Sequence, residues 1–91
     1  MARIDIVHAH ARSPAQARQA IDAIARTLAD RYGLRHAWQG ERLSLSGSGI
    51  QAGIDNLPGQ VRVSAELGLL ASALKGTIEQ EIRRVLAEKF G

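Results

Sequence analysis

Hydrophobic and polar positions alternate at the start of the chain. From Arg3 to His10, Ile4, Ile6, His8 and His10 fall on one side and Arg3, Asp5, Val7 and Ala9 on the other, the period of a half-buried strand. Ser13-Pro14-Ala15-Gln16 then reads as a helix start. Ser13 suits the cap, Pro14 the first helical position, and Gln16 completes a capping box. The spacing predicts a helix from Pro14 to about Tyr32, with Ala17, Ala20, Ile21, Ile24 and Leu28 on one stripe. Arg18, Asp22, Arg26 and Asp30 follow at i, i+4 steps on the opposite side, where alternating charges support an exposed helical face. Gly33 is placed to end the helix.

Four more strands follow. Leu34, His36 and Trp38 alternate with Arg35, Ala37 and Gln39, and Gly40-Glu41 suits a type II′ hairpin with glycine first. Leu43 and Leu45 make a third strand. Ser46-Gly47-Ser48-Gly49 is the weak point of the sheet, a turn or bulge. Ile50, Ala52 and Ile54 make a fourth strand, Asn56-Leu57-Pro58-Gly59 a turn, and Val61, Val63, Ala65 and Leu67 a fifth. From about Gly68 the period becomes helical: Leu70, Leu74, Ile78, Ile82, Val85 and Leu86 share a stripe. One helix with a weak point at Gly76 is expected, where Thr77 and Gln80 offer a second capping box, and Phe90 is placed to fold back as an anchor.

The order β-α-β-β-β-β-α, with short turns between successive strands, predicts an α+β fold. It is a two-layer sandwich, an antiparallel sheet with two helices packed on one face. The other face carries Arg3, Asp5, Arg35, Arg42, Asp55, Arg62 and Glu66 and is polar enough to meet water or a second subunit. The strand order, and hence the free edges, is not legible from the pattern; a homodimer would cover such edges. No composition shift marks a boundary, so residues 1–91 read as one domain.

Composition sharpens this in two respects. Hydrophobic residues are 45% and charged residues 23%, ordinary globular usage, and no apolar run approaches the roughly 18 residues of a membrane span. An acid stands where a signal peptide would have its apolar stretch, and there is no cysteine, so the cytoplasm is the default location. The net charge is only +3, confined to residues 1–42, and several arginines have acids one helical turn away. With three aromatic residues in all, this is not the dense basic and aromatic stripe of a nucleic-acid binder.

The candidate chemistry is sparse. His8 and His10 have a real ligand spacing on a strand but need further partners, which His36 supplies only if the first two strands are neighbours; no metal or other cofactor is expected. Gly47-Ser48-Gly49 lacks the ending of a phosphate-binding loop and precedes no helix. No Gly-x-Ser-x-Gly is present, and Glu79 and Glu81 are about 200° apart around a helix, so no enzymatic activity is expected. Trp38 falls on the inward face, as a core residue or facing a ligand between the sheet and the C-terminal helix.

The whole-chain pattern resembles a known family. The strand ending His8-Ala9-His10, then Ser13-Pro14 and an Ala-rich helix, lead into Tyr32-Gly33-Leu34-Arg35 and Trp38-Gln39-Gly40. Ser46 to Ile50, Leu67-Gly68-Leu69-Leu70, Ala73-Leu74-Lys75-Gly76-Thr77-Ile78-Glu79, Ile82-Arg83-Arg84 and Leu86 complete it. Together these resemble the polyhydroxyalkanoic acid system (granule region) proteins of bacteria that store carbon as polyester. The resemblance implies a non-enzymatic accessory protein, cytoplasmic and associated with granules, and supplies no catalytic residues. A helix exposing Leu70, Leu74 and Ile78 would adsorb to a granule surface or a granule protein. The alternative is a carrier or sensor that holds an apolar or acyl ligand near Trp38, Leu70, Leu74 and Ile78.

Overall fold

Local signals set the first helix. In the computed structural model, which describes residues 2–90, β1 (Ala2–Ala9) leads into α1 (Pro14–Tyr32). Ser13 Oγ accepts from the Gln16 N–H, and the Ser13 N–H donates to Gln16 Oε1, both at 3.2 Å. This reciprocal box satisfies two of the amide groups that a helix start leaves open. At the other end Gly33 takes the left-handed conformation (φ 67°) and donates its N–H to the Ala29 carbonyl, which stops the helix.

Three tight hairpins join β2 (Arg35–Gln39), β3 (Arg42–Gly47), β4 (Ile50–Leu57) and β5 (Gln60–Leu67). Gly40 has φ 63° while Glu41 stays at negative φ, as the II′ reading requires. In the second turn Ser48 (φ 51°) and Gly49 (φ 76°) are both left-handed, the pattern of a type I′ turn, so the Ser-Gly segment is a turn and not a bulge. Ser48 Oγ donates to the Tyr32 carbonyl at 3.0 Å and ties this turn to the end of α1.

All neighbours are antiparallel, in the order β1-β5-β4-β3-β2. α1 therefore carries the chain from one edge of the sheet to the other, and the meander returns to pair β5 with β1. α1 lies over β2, β3 and β4, the C-terminal helix lies over β1, and the two helices pack on each other. Between the layers, Ile4, Ile21, Ile24, Leu43, Ile54, Leu67 and Leu86 are fully buried in one contiguous core. The open face of the sheet is polar, as the alternation predicts.

The C-terminal helix departs from the expected single rod. It divides into α2 (Leu69–Ser72) and α3 (Lys75–Phe90), and the division falls at Ala73-Leu74, ahead of Gly76. Ser72 Oγ donates to the Gly68 carbonyl at 2.8 Å, and the Leu74 N–H reaches only three residues back, to Ala71, at 2.9 Å. That local competition and tightening bend the chain. The bend lets Ala71 and Ile78 both face the core and turns Leu69, Leu70 and Leu74 outward. Leu70 and Leu74 are thus not part of the buried stripe, and Ile78 is buried and not available for adsorption.

Candidate functional site

The residues singled out by sequence are dispersed over three places. Trp38 is half-buried on the edge strand β2. Its indole N–H donates to Asp22 Oδ1 at 3.4 Å, and the Arg18 guanidinium lies 3.9 Å from the ring centroid. Arg18 also donates to the Gly40 carbonyl at 3.2 Å, so Trp38 is clasped between the hairpin and α1. It sits at the opposite edge of the sheet from the strand that α3 covers, and does not meet Leu70, Leu74 or Ile78. The apolar cavity beneath α3, bordered by Leu28, Tyr32, Leu45, Ile78 and Ile82, holds about 20 Å³ and is not lined by Trp38. That is room for about one water molecule, far below the few hundred Å³ of a ligand pocket.

The first two histidines pack against the C-terminal helix. The Phe90 ring stacks on His10 at 4.7 Å between centroids and lies tilted against His8 at 6.0 Å. His10 Nδ1 accepts the Arg12 N–H at 3.1 Å. His36 is on β2, at the far edge from β1, and among the described residues no three His, Cys, Asp or Glu side chains gather as a metal site. His8 and His10 form the seat on which the last helical turn docks.

The open sheet face carries ion pairs in a cross-strand array. Arg62 grips Asp5 with a two-pronged contact at 3.0 and 2.6 Å, Arg42 holds Asp55 at 2.9 and 2.7 Å, and Arg3 meets Glu66 at 3.4 Å. The hydrogen bonds from Arg62 hold the Asp5 carboxyl below the usual carboxylate range, with Arg3 adding to the effect. Arg3, Arg42 and Arg62 each have an acid against them, which disfavours a polyanion on this face.

The third place is an apolar patch. Leu69 is 86% exposed and Leu70 92%, both in the first turn of α2, and Leu74 is 54% exposed at the elbow before α3, preceding Lys75. Apart from Val7 they are the large apolar side chains left in water among the described residues. Sequence reasoning found Leu70 and Leu74 but missed Leu69. The available signal was the run Leu67-Gly68-Leu69-Leu70, since a single core stripe cannot take adjacent leucines. Covering one such side chain is worth about 1.5–3 kcal/mol, so three form an adhesive spot.

Residues 4–90 match the model of a family described as "Putative polyhydroxyalkanoic acid system protein". Comparison with curated proteins gives no match.

Proposed function

The chain belongs to the polyhydroxyalkanoic acid system family, and on that premise we propose that it is a non-enzymatic accessory protein that attaches to storage-polyester granules. The observation that carries this reading is the exposed patch of Leu69, Leu70 and Leu74. A folded domain that leaves three leucines in water gains by laying them on an apolar body, and Lys75 beside them suits the amphipathic coat of such a body. Many of its charged groups are committed to one another, Asp5 to Arg62, Glu81 to Arg84 and Glu79 to Arg83, which supports a binding role over acid-base chemistry. In this reading the protein is cytoplasmic and partitions onto granules. It acts as a homodimer, because a small domain with two open sheet edges gains by closing one.

The test is co-sedimentation of the purified protein with polyester granules stripped of their own proteins. Wild type is expected in the pellet and the double variant Leu69→Ser, Leu70→Ser in the supernatant. Both leucines are exposed, so the variant should unfold at the same temperature as wild type. Retention of the variant overturns the role of the patch, and wild type found only in the supernatant overturns direct attachment. Binding that appears only on granules with their protein coat retained moves the contact to a granule protein.

A further inference from the structure

β1 is the longer of the two edge strands of the sheet. β1 ends the sheet, holds an unbroken eight-residue register with β5 from Ala2↔Leu67 to Ala9↔Gln60, and contains no proline, glycine or lysine. Prolines, lysines and bulges are the devices that usually blunt an edge. The opposite edge, β2, has five residues. Ile4 and Ile6 are buried between β1 and the helical layer.

The hydrogen-bond phase of this edge is determined. The His10 N–H donates to the Gly59 carbonyl directly across from it, so the even-numbered residues of β1 turn their backbone groups toward β5. The odd-numbered residues Arg3, Asp5, Val7 and Ala9 therefore hold theirs at the free edge. A second copy added antiparallel must pair odd with odd residues if Ile4 and Ile6 of both copies are to stay on the helical side. Charge then separates the registers. A two-fold at Asp5 sets the two Asp5 carboxylates opposite each other. A two-fold at Ile6 sets Asp5 against Val7, and one at Val7 sets Asp5 against Ala9. Only a two-fold at Ile4 sets Arg3 of each copy opposite Asp5 of the other. It joins Arg62, Asp5, the second copy's Arg3 and its Glu66 in one alternating row that continues the cross-strand ion pairs already present.

We infer that two copies of this chain pair edge to edge through Ala2–Ile6 of β1, antiparallel about a two-fold at Ile4, with Arg3 opposite Asp5 twice, forming one continuous ten-stranded sheet. This rests on the homodimer reading above and names its surface.

The absence of cysteine gives a clean background for the test. Residues directly opposite in a hydrogen-bonded antiparallel pair have Cα atoms about 5.5 Å apart, within disulfide reach. Arg3→Cys mixed with Asp5→Cys and oxidised is expected to give a covalent dimer, and either variant alone is not. Self-crosslinking of Asp5→Cys, or crosslinking of Asp5→Cys to Val7→Cys in preference to Arg3→Cys, overturns the register. Charge reversal provides a second readout: Arg3→Asp and Asp5→Arg are each expected to weaken the dimer about tenfold or more, and an equimolar mixture to associate as wild type does. Failure of the mixture to associate overturns the pairing. Sedimentation of wild type separates the two levels. A monomer up to about 1 mM removes the homodimer and this surface together, whereas a dimer that crosslinks at none of these positions keeps the homodimer and removes the β1 edge.

Discussion

Single positions on the sheet separate backbone constraint from side-chain accommodation. Gly47 has φ 139°, and an added Cβ would stand 3.1 Å from the Gly33 carbonyl oxygen, a backbone atom at the end of α1. Gly53 has ordinary φ, and an added Cβ would run into the Arg42 guanidinium, the far end of a flexible chain that lies over it. Gly47→Ala is therefore expected to cost about 1–3 kcal/mol. Gly53→Ala should cost about 1 kcal/mol or less, because Arg42 swings away and only an exposed ion pair with Asp55 is lost. Chemical denaturation of both variants measures the difference, and equal losses would contradict it. The carboxylates add a pH dependence with a definite sign. Asp5 and Glu81 are held below their usual range, Asp5 first by hydrogen bonds from Arg62 and Glu81 by those from Arg84. A depressed folded-state pKa gives stability that is complete above the unfolded carboxylate range and is lost as pH falls through the folded value. Stability should thus begin to fall below about pH 4, and Asp5→Asn should make that fall shallower. An acid limb that is unchanged in Asp5→Asn would show the Arg62 contact to be without effect in solution.

At the scale of elements, legibility followed the range of the interaction. The α1 box, its Gly33 stop and the glycines of the hairpins were readable because each is settled within a few residues. The outward turn of Leu70 and Leu74 was not, because periodicity reports that residues share a helical face and is silent on where the axis bends. The bend depends on Ser72 bonding back to Gly68 and on Ala71 finding a place in the core, both consequences of how β5 ends. Trp38 was legible as inward-facing, but its clasp by Arg18 and Asp22 depends on α1 crossing to the far edge of the sheet. Gly76, the residue that pattern alone marked as the weak point, has normal helical geometry in the first turn of α3, and nothing stands within 4 Å of an added Cβ. Gly76→Ala is therefore expected to stabilise the protein by about 0.5–1 kcal/mol, through a smaller entropy loss on folding. A shift of the thermal midpoint upward by a few degrees checks it; a downward shift would mean that the elbow needs glycine's freedom.

For the molecule as a whole, closure comes from the last residue described. β1 is held on one side by β5 and is covered by α3, and α3 ends in Phe90, whose ring rests on His8 and His10 of the first strand and the residue that follows it. The first strand and the last helix are thereby locked together; spacing marked Phe90 as an anchor and the histidine pair only as candidate ligands lacking further partners, and did not show that the two meet. A chain of 91 residues has a small core, and its net stability is expected at the low end of about 5–15 kcal/mol. Removing a buried aromatic costs about 3–5 kcal/mol, so Phe90→Ala should consume much of the stability of the fold. Because the loss lies at one end, it should first free the last turns of α3 and then expose Ile4 and Ile6 beneath them. Hydrogen exchange is the measurement that separates this from uniform weakening. In Phe90→Ala, protection should fall most in α3 and β1 and least in the β3–β4 hairpin, which packs under α1. Phe90→Leu, keeping an apolar side chain but not the stack on His10, should fall between the two. Equal loss of protection in all strands would instead mean that the sheet and both helices open as one unit, with Phe90 no more a lock than any other core side chain.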